Sequence, residues 1–249
     1  MKDIVQYIYG IADNALILGQ RLGELCGHGP NLETDIAMTN IALDLLGQTR
    51  SYYQYAAKFS GDDATEDTIA FLRSEREYKN VLLVEQPNTD FAYSIGRQFL
   101  FDVFHLLLLQ ELQHSVDETI SAIAKKSIKE VSYHQRFSSD WIRRLGDGNE
   151  ESHQKIQSAI DDLWTFTDEL FHMTDADKLM AAAGIGIDVT FLKEPYYAIV
   201  SGILTESTLQ IPELKYFQKG GKQGIHSEHM GFILADMQFM QRTFPNMQW

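Results

Sequence analysis

Cysteine is almost missing: Cys26 stands alone among 249 residues, so no intrachain disulfide can form and a reducing, cytoplasmic setting is expected. Proline is scarce too, at positions 30, 87, 195, 212 and 245 only, which leaves long stretches with no helix breaker. No uninterrupted apolar run approaches the roughly 20 residues that cross a bilayer, so no membrane contact is expected. Near the N-terminus, Asp3, Asp13 and Asn14 break up "MKDIVQYIYGIADNALILGQ" before the apolar part of a signal peptide is complete. Basic residues are the last shortage. Lys and Arg number 21 against 35 Asp and Glu, a formal charge of -14, which argues against nucleic acid as a partner because phosphate neutralisation supplies most of that affinity.

What is present is helical. Apolar residues make up 44% of the chain, ample for a core, and they recur every three or four positions. Ile4, Ile8, Ile11, Ala15, Leu18 and Leu22 form one stripe, which "GHGP" stops, predicting a helix over about 3–26. Further helices are predicted over about 33–59, 65–84 and 89–114. A fifth runs to about 145 behind a capping box from Ser115 to Glu118. After the turn "GDGNEES" the pattern predicts a helix over 152–173, shorter helices over 189–208, and a last helix over 226–242. With no long linker and no internal repeat, this is an all-α single domain over 1–249. Its bundle core lies at about 3–145, with additional C-terminal helices at about 150–243.

Helical bundles place metals in their cores, and the carboxylate-bridged di-iron site needs Glu-x-x-His on two helices, because residues three apart share a face. Four of the eight histidines have an acid three residues earlier, where the frequency of acids predicts about one. They are Asp102/His105, Glu111/His114, Glu150/His153 and Glu169/His172. Glu150/His153 opens a helix and Glu169/His172 closes one, positions with ordinary dipole and capping roles. Asp102/His105 and Glu111/His114 lie nine residues apart on one helix, hence on opposite faces. Asp102 and His105 sit within "FLFDVFHLLLL", where burial demands partners: either a hydrogen-bonded network with Glu130, or a reduced metal site built from Asp102, His105, Glu130 and His134.

The segments "LILGQRLGELCGHGPNLETDIAMTNIALDLLGQTRSYYQYAA", "LLVEQPNTDFAYSIGRQFLFDVFH", "IKEVSYHQRFSSDWIRRLGDG" and "GGKQGIHSEHMGFILADMQ" resemble the structural, non-catalytic subunits of bacterial phenylacetyl-CoA 1,2-epoxidases. The resemblance runs from about Tyr7 to Trp249. It implies a ferritin-like bundle, no metal or catalytic residue in this chain, and a partner subunit that carries the di-iron centre. For the complex it implies other epoxidase subunits, including a flavin/iron-sulfur reductase that uses NADPH. The Asp-Glu-x-Gly-His of the catalytic relative stands here as Asp44, Leu45, Leu46, Gly47 and Gln48. Its Glu-x-x-His-Gln-Arg stands as Val131, Ser132, Tyr133, His134, Gln135 and Arg136. The resemblance therefore makes Leu45, Gln48, Val131 and His134 a degenerate di-iron site, with Gly47 available for close approach of a neighbouring helix.

Lys215, Lys219 and Lys222, in a Gly-rich segment with no acid, are candidates for coenzyme A or partner contact. His226 and His229 share a helix face and form a candidate metal pair with no further ligand identified. Tyr52, Tyr53, Tyr55, Trp141 and Trp164 are candidates for core or interface. A stand-alone helical adaptor fits the composition as well.

Overall fold

The computed structural model describes residues 2–214, 216–245 and 247, and no strand occurs among them. These residues form nine α-helices: α1 Lys2–Gly23, α2 Leu32–Ala57, α3 Glu66–Phe71, α4 Phe91–Leu112, α5 Glu118–Gly146, α6 Glu150–Leu163, α7 Asp175–Ala182, α8 Lys193–Glu206 and α9 Glu228–Thr243. Two compact units result, one of residues 1–85 with 220–249, the other of 86–219. The expected partition at about 145–150 falls inside the second unit.

In the first unit α1 packs along α2, and Gly19 lets them close up: a Cβ there would meet the Ala42 carbonyl oxygen and the Leu46 side chain at 3.4 Å. Gly47, which could have admitted a neighbouring helix or been a local accident of packing, is exposed with open space beside it. α2 starts on Asn31, whose side chain accepts from the Thr34 amide, and buries Met38, Ile41, Leu45, Tyr52 and Tyr53. α9 joins this unit through Met230, Ile233 and Leu234.

The helix expected over 65–84 is only six residues long. Beyond Phe71 the chain makes an exposed 3-10 turn at Glu75–Glu77 and is then largely buried from Tyr78 on, with Val81, Leu82, Leu83 and Val84 in the core and a second 3-10 turn at Leu82–Glu85. The reason lies on α1. Asp13 accepts from the Lys79 amide at 2.7 Å and Asn14 from the Val81 amide at 2.8 Å, so these side chains take the backbone donors that a helix would have used.

In the second unit α4 packs against α5, α6 and α8. Asp117, not Ser115, caps α5: its carboxylate accepts from the Thr119 and Ile120 amides, while the Ser115 hydroxyl donates to the Ile185 carbonyl at 2.6 Å. The helix expected over 152–173 ends at Leu163 and continues as two 3-10 turns, which carry Trp164, Phe166, Leu170 and Phe171 into the core. Gly146, at the end of α5, lies against Ser207, at the end of α8; an added Cβ would fall 2.4 Å from the Ser207 carbonyl oxygen.

Candidate functional site

Gln98, Asp102 and His105 advance by four and three residues on α4 and share one face, as do Val131, His134 and Ser138 on α5. All six are buried. Gln98 Nε2 donates to one oxygen of Asp102 at 2.6 Å and Ser138 Oγ to the other at 2.8 Å. Burial nevertheless pushes the Asp102 carboxyl up to about 7, against the pull of the nearby His134 charge and these two hydrogen bonds. Burial also drives His105 down to about 3, and the neighbouring His134 adds to the effect. The His105 ring lies 5.2 Å from that of Phe101, and its Nδ1 is buried with no hydrogen-bond partner. The second unit thus assembles Asp102, His105 and His134, a group spanning 33 positions of sequence, around a carboxyl that changes charge near neutrality.

Glu130 is half-buried one residue before Val131. In the first unit Leu45 and Gln48 are both buried on the inner face of α2, with Tyr52 one turn on; burial raises the Tyr52 hydroxyl well above its ordinary value. Leu45 and Val131 offer hydrocarbon and Gln48 a neutral amide. A di-iron pair needs anionic oxygen donors to offset its charge, so the donor set of this chain does not fit that centre. The described residues hold no group of three or more His, Cys, Asp or Glu placed to grip a metal.

The other sequence candidates have local roles. His153 lies with Nδ1 2.7 Å from the Gly146 carbonyl and closes the end of α5. Glu111 and His114 are exposed, whereas Glu169 is buried. Lys215 lies outside the described residues; Lys219 is exposed and Lys222 half-buried. The glycines beside them serve tight packing: a Cβ on Gly221 would fall 2.2 Å from the Asn80 carbonyl oxygen, and one on Gly224, at φ +80°, 2.1 Å from that of Arg76. Cys26 is exposed, Tyr52, Tyr53 and Trp164 are buried, and Tyr55 and Trp141 are half-buried.

His226 does not pair with His229. Its Nδ1 lies 2.5 Å from the buried Glu85 carboxylate and its Nε2 3.1 Å from the Tyr78 carbonyl. Two acceptors on one imidazole require both nitrogens to donate, hence a charged ring. Burial works against that charge, but the bond and charge of Glu85 prevail and raise the His226 pKa above its ordinary value. Glu85 also accepts from Asn80 Nδ2 at 2.8 Å and from the Ser227 amide and hydroxyl at 2.9 and 2.6 Å. A raised pKa gives stability that is complete below about pH 6.5 and is lost as pH climbs through the raised value. His226→Ala should therefore cost about 2–4 kcal/mol at pH 6, by stranding the Glu85 carboxylate, and clearly less at pH 9. Urea unfolding at the two pH values measures the difference; an equal loss at both would remove the charged-histidine assignment.

A second buried cluster escaped the sequence reading. Asp13, fully buried, accepts from both terminal nitrogens of Arg73 at 2.6 and 3.0 Å and from the Tyr53 hydroxyl. The guanidinium lies between the rings of Tyr9 and Tyr78, at 4.3 and 4.1 Å from their centroids. The only sequence signal was a pair of polar residues, Asp13 and Asn14, in the middle of an apolar helix.

The helices and the absence of strands among the described residues define an all-α chain of the ferritin-like class. The chain belongs to the phenylacetic acid catabolic protein family, whose model matches residues 1–249. It is 47% identical over 249 residues to a 1,2-phenylacetyl-CoA epoxidase subunit of Escherichia coli strain K12, and the alignment covers 100% of both chains. No helix among the described residues is long and apolar enough to cross a membrane.

Proposed function

We propose that this chain is the structural, non-catalytic subunit of a phenylacetyl-CoA epoxidase in aerobic phenylacetate degradation, standing beside a di-iron catalytic subunit. The observation that carries the reading is the chemistry of four positions: Leu45, Gln48 and Val131 supply no anionic donor, and the Asp102 carboxyl near His134 already accepts two hydrogen bonds. Full-length similarity to a protein named as one of the subunits of such an epoxidase supports it. On this reading iron activates oxygen in the partner, and the flavin/iron-sulfur reductase and NADPH belong to the rest of the complex. The residues of this chain keep a fold on which the partner can be held. Asp102, Gln98 and Ser138 tie α4 to α5, and Glu85 with His226 ties the segment before α9 to residues 78–85.

A second reading, an independent metalloenzyme using Asp102, His105, Glu130 and His134, draws on the buried acid and imidazoles. Metal analysis separates the two. The chain expressed alone, supplied with Fe(II) and desalted, should carry close to zero iron by mass spectrometry, and adding the purified di-iron subunit should be required for epoxidation. About two irons per isolated chain would overturn the structural reading.

A further inference from the structure

The outer face of α5 has a charge opposite to that of the chain as a whole. Lys125, Lys126, Lys129, Arg136, Arg143 and Arg144 lie on this helix, in a protein of formal charge -14. At 100° per residue they fall within about 100° of arc, so they form one stripe, about 28 Å long at 1.5 Å per residue. Asp140 is the acid within that stretch of the arc, and Arg143 takes it at 3.3 Å. Lys125, Lys126, Lys129, Arg136 and Arg144 are exposed, and none of them forms an ion pair among the described residues. By contrast, Arg50, Lys155, Lys178 and Lys193, on other surfaces, each reach an acid. A solvated helix face in so acidic a chain would mix signs; this one is dominated by cations over about five turns.

Aromatic rings stiffen the same face. Arg136 lies 5.8 Å from the centroid of Tyr133, whose ring is 6.1 Å from that of Phe137, and Arg144 lies 5.3 Å from that of Trp141. Tyr133 is 39% exposed. Arginine and aromatic side chains held in place are the composition of a protein interface rather than of a solvated surface.

We infer that this face of α5 docks an acidic protein surface, that of another subunit of the proposed complex; the inference rests on the subunit reading above. Charge complementarity selects the occupant. Five cations left without acids of their own chain fit a partner presenting Asp and Glu along about 28 Å, a breadth comparable with that of a standard patch of about 800 Å². Nucleic acid fits less well. The field of the whole chain repels a polyanion.

The test uses the full chain, each other epoxidase subunit of the same organism as an individually purified probe, and the variant K125E/K129E/R136E. Wild type should bind a subunit with an affinity that falls about tenfold between roughly 50 and 300 mM NaCl, as screening requires. The triple variant should bind about 30-fold or more weakly, and should be rescued by acid-to-lysine changes on that subunit. The control variant K155E/K178E should bind as wild type does. All three substituted positions are exposed, so circular dichroism should show an unchanged fold. Binding by the triple variant within about threefold of wild type would overturn the surface and leave the subunit reading standing. Failure of the wild-type chain to bind any subunit would overturn both. Capture of a fluorescent DNA oligonucleotide by wild type but not by the triple variant, with subunit binding unaffected, would replace the protein partner by nucleic acid.

Discussion

Arg73→Met should destabilise the protein by about 3–5 kcal/mol, the largest loss expected from removing any single charge here. Methionine keeps most of the stem volume, so the effect isolates the charge. Arg73 gives two hydrogen bonds to a carboxylate with no exposure to water, and three more, to the Ile69 and Glu77 carbonyls and the Tyr53 hydroxyl. Burial pulls its pKa down, but Asp13 and the surrounding tyrosines outweigh that and leave it above its ordinary value, so it is charged at every accessible pH. Without it, Asp13 retains the Tyr53 hydroxyl and the Lys79 amide but no counter-charge. The same arginine holds α9: Gln238 donates to its carbonyl at 2.9 Å and to the Tyr78 hydroxyl at 2.8 Å. Arg73→Lys should fall between, since a single ammonium cannot reproduce the two-pronged contact. The double variant D13N/R73M should recover more than half of the loss, because the cost comes from a stranded charge rather than from the missing pair. Urea unfolding followed by far-ultraviolet circular dichroism measures all three. A loss below about 1 kcal/mol in R73M would mean that water reaches Asp13.

This cluster also marks the boundary of what sequence could reveal. The long amphipathic helices α1, α2 and α5 were legible because a repeating stripe is local information, readable within one segment. The 72–85 segment was not. Its apolar residues suit a helix, and only α1, more than sixty positions earlier, decides otherwise by taking the Lys79 and Val81 amides. Pairings such as Asp13 with Arg73, or Glu85 with His226 across 141 residues, have no spacing rule to betray them. The Asp102/His105 pair stood out because polar residues three apart inside an apolar run need partners. The partners of Asp102, Gln98 one turn back and Ser138 on the next helix, came only with the fold. Gly19 and Gly47 illustrate the same limit: each interrupts an apolar helix, but only packing shows that Gly19 admits a neighbouring helix while Gly47 faces open space.

The Asp102 site makes its own demand on pH. Asp102 is raised from 3.8 to about 7, so its contribution to stability is complete below about pH 4 and is lost as pH rises through 7. His105 is lowered from 6.5 to about 3, so its contribution is complete above about pH 6.5 and is lost as pH falls. Between about pH 4 and 6.5 the two slopes oppose each other. The folded pair holds one proton, on Asp102, and the unfolded pair also holds one, on the histidine, so this site makes stability nearly independent of pH in that window. Asp102→Asn removes one side of the balance. The amide still accepts from Gln98 and can donate to Ser138 Oγ, so the fold should survive, and stability should then rise by about 1.4 kcal/mol per pH unit across the window. Above pH 8 the variant should exceed wild type by a few kcal/mol, since it no longer buries a carboxylate. His105→Gln should do the reverse and lose stability as pH rises from 4 to 7. Chemical unfolding at half-unit pH steps compares the three curves. A D102N curve parallel to that of wild type would show that Asp102 titrates in the folded protein as it does in water, and that the site is open rather than sealed.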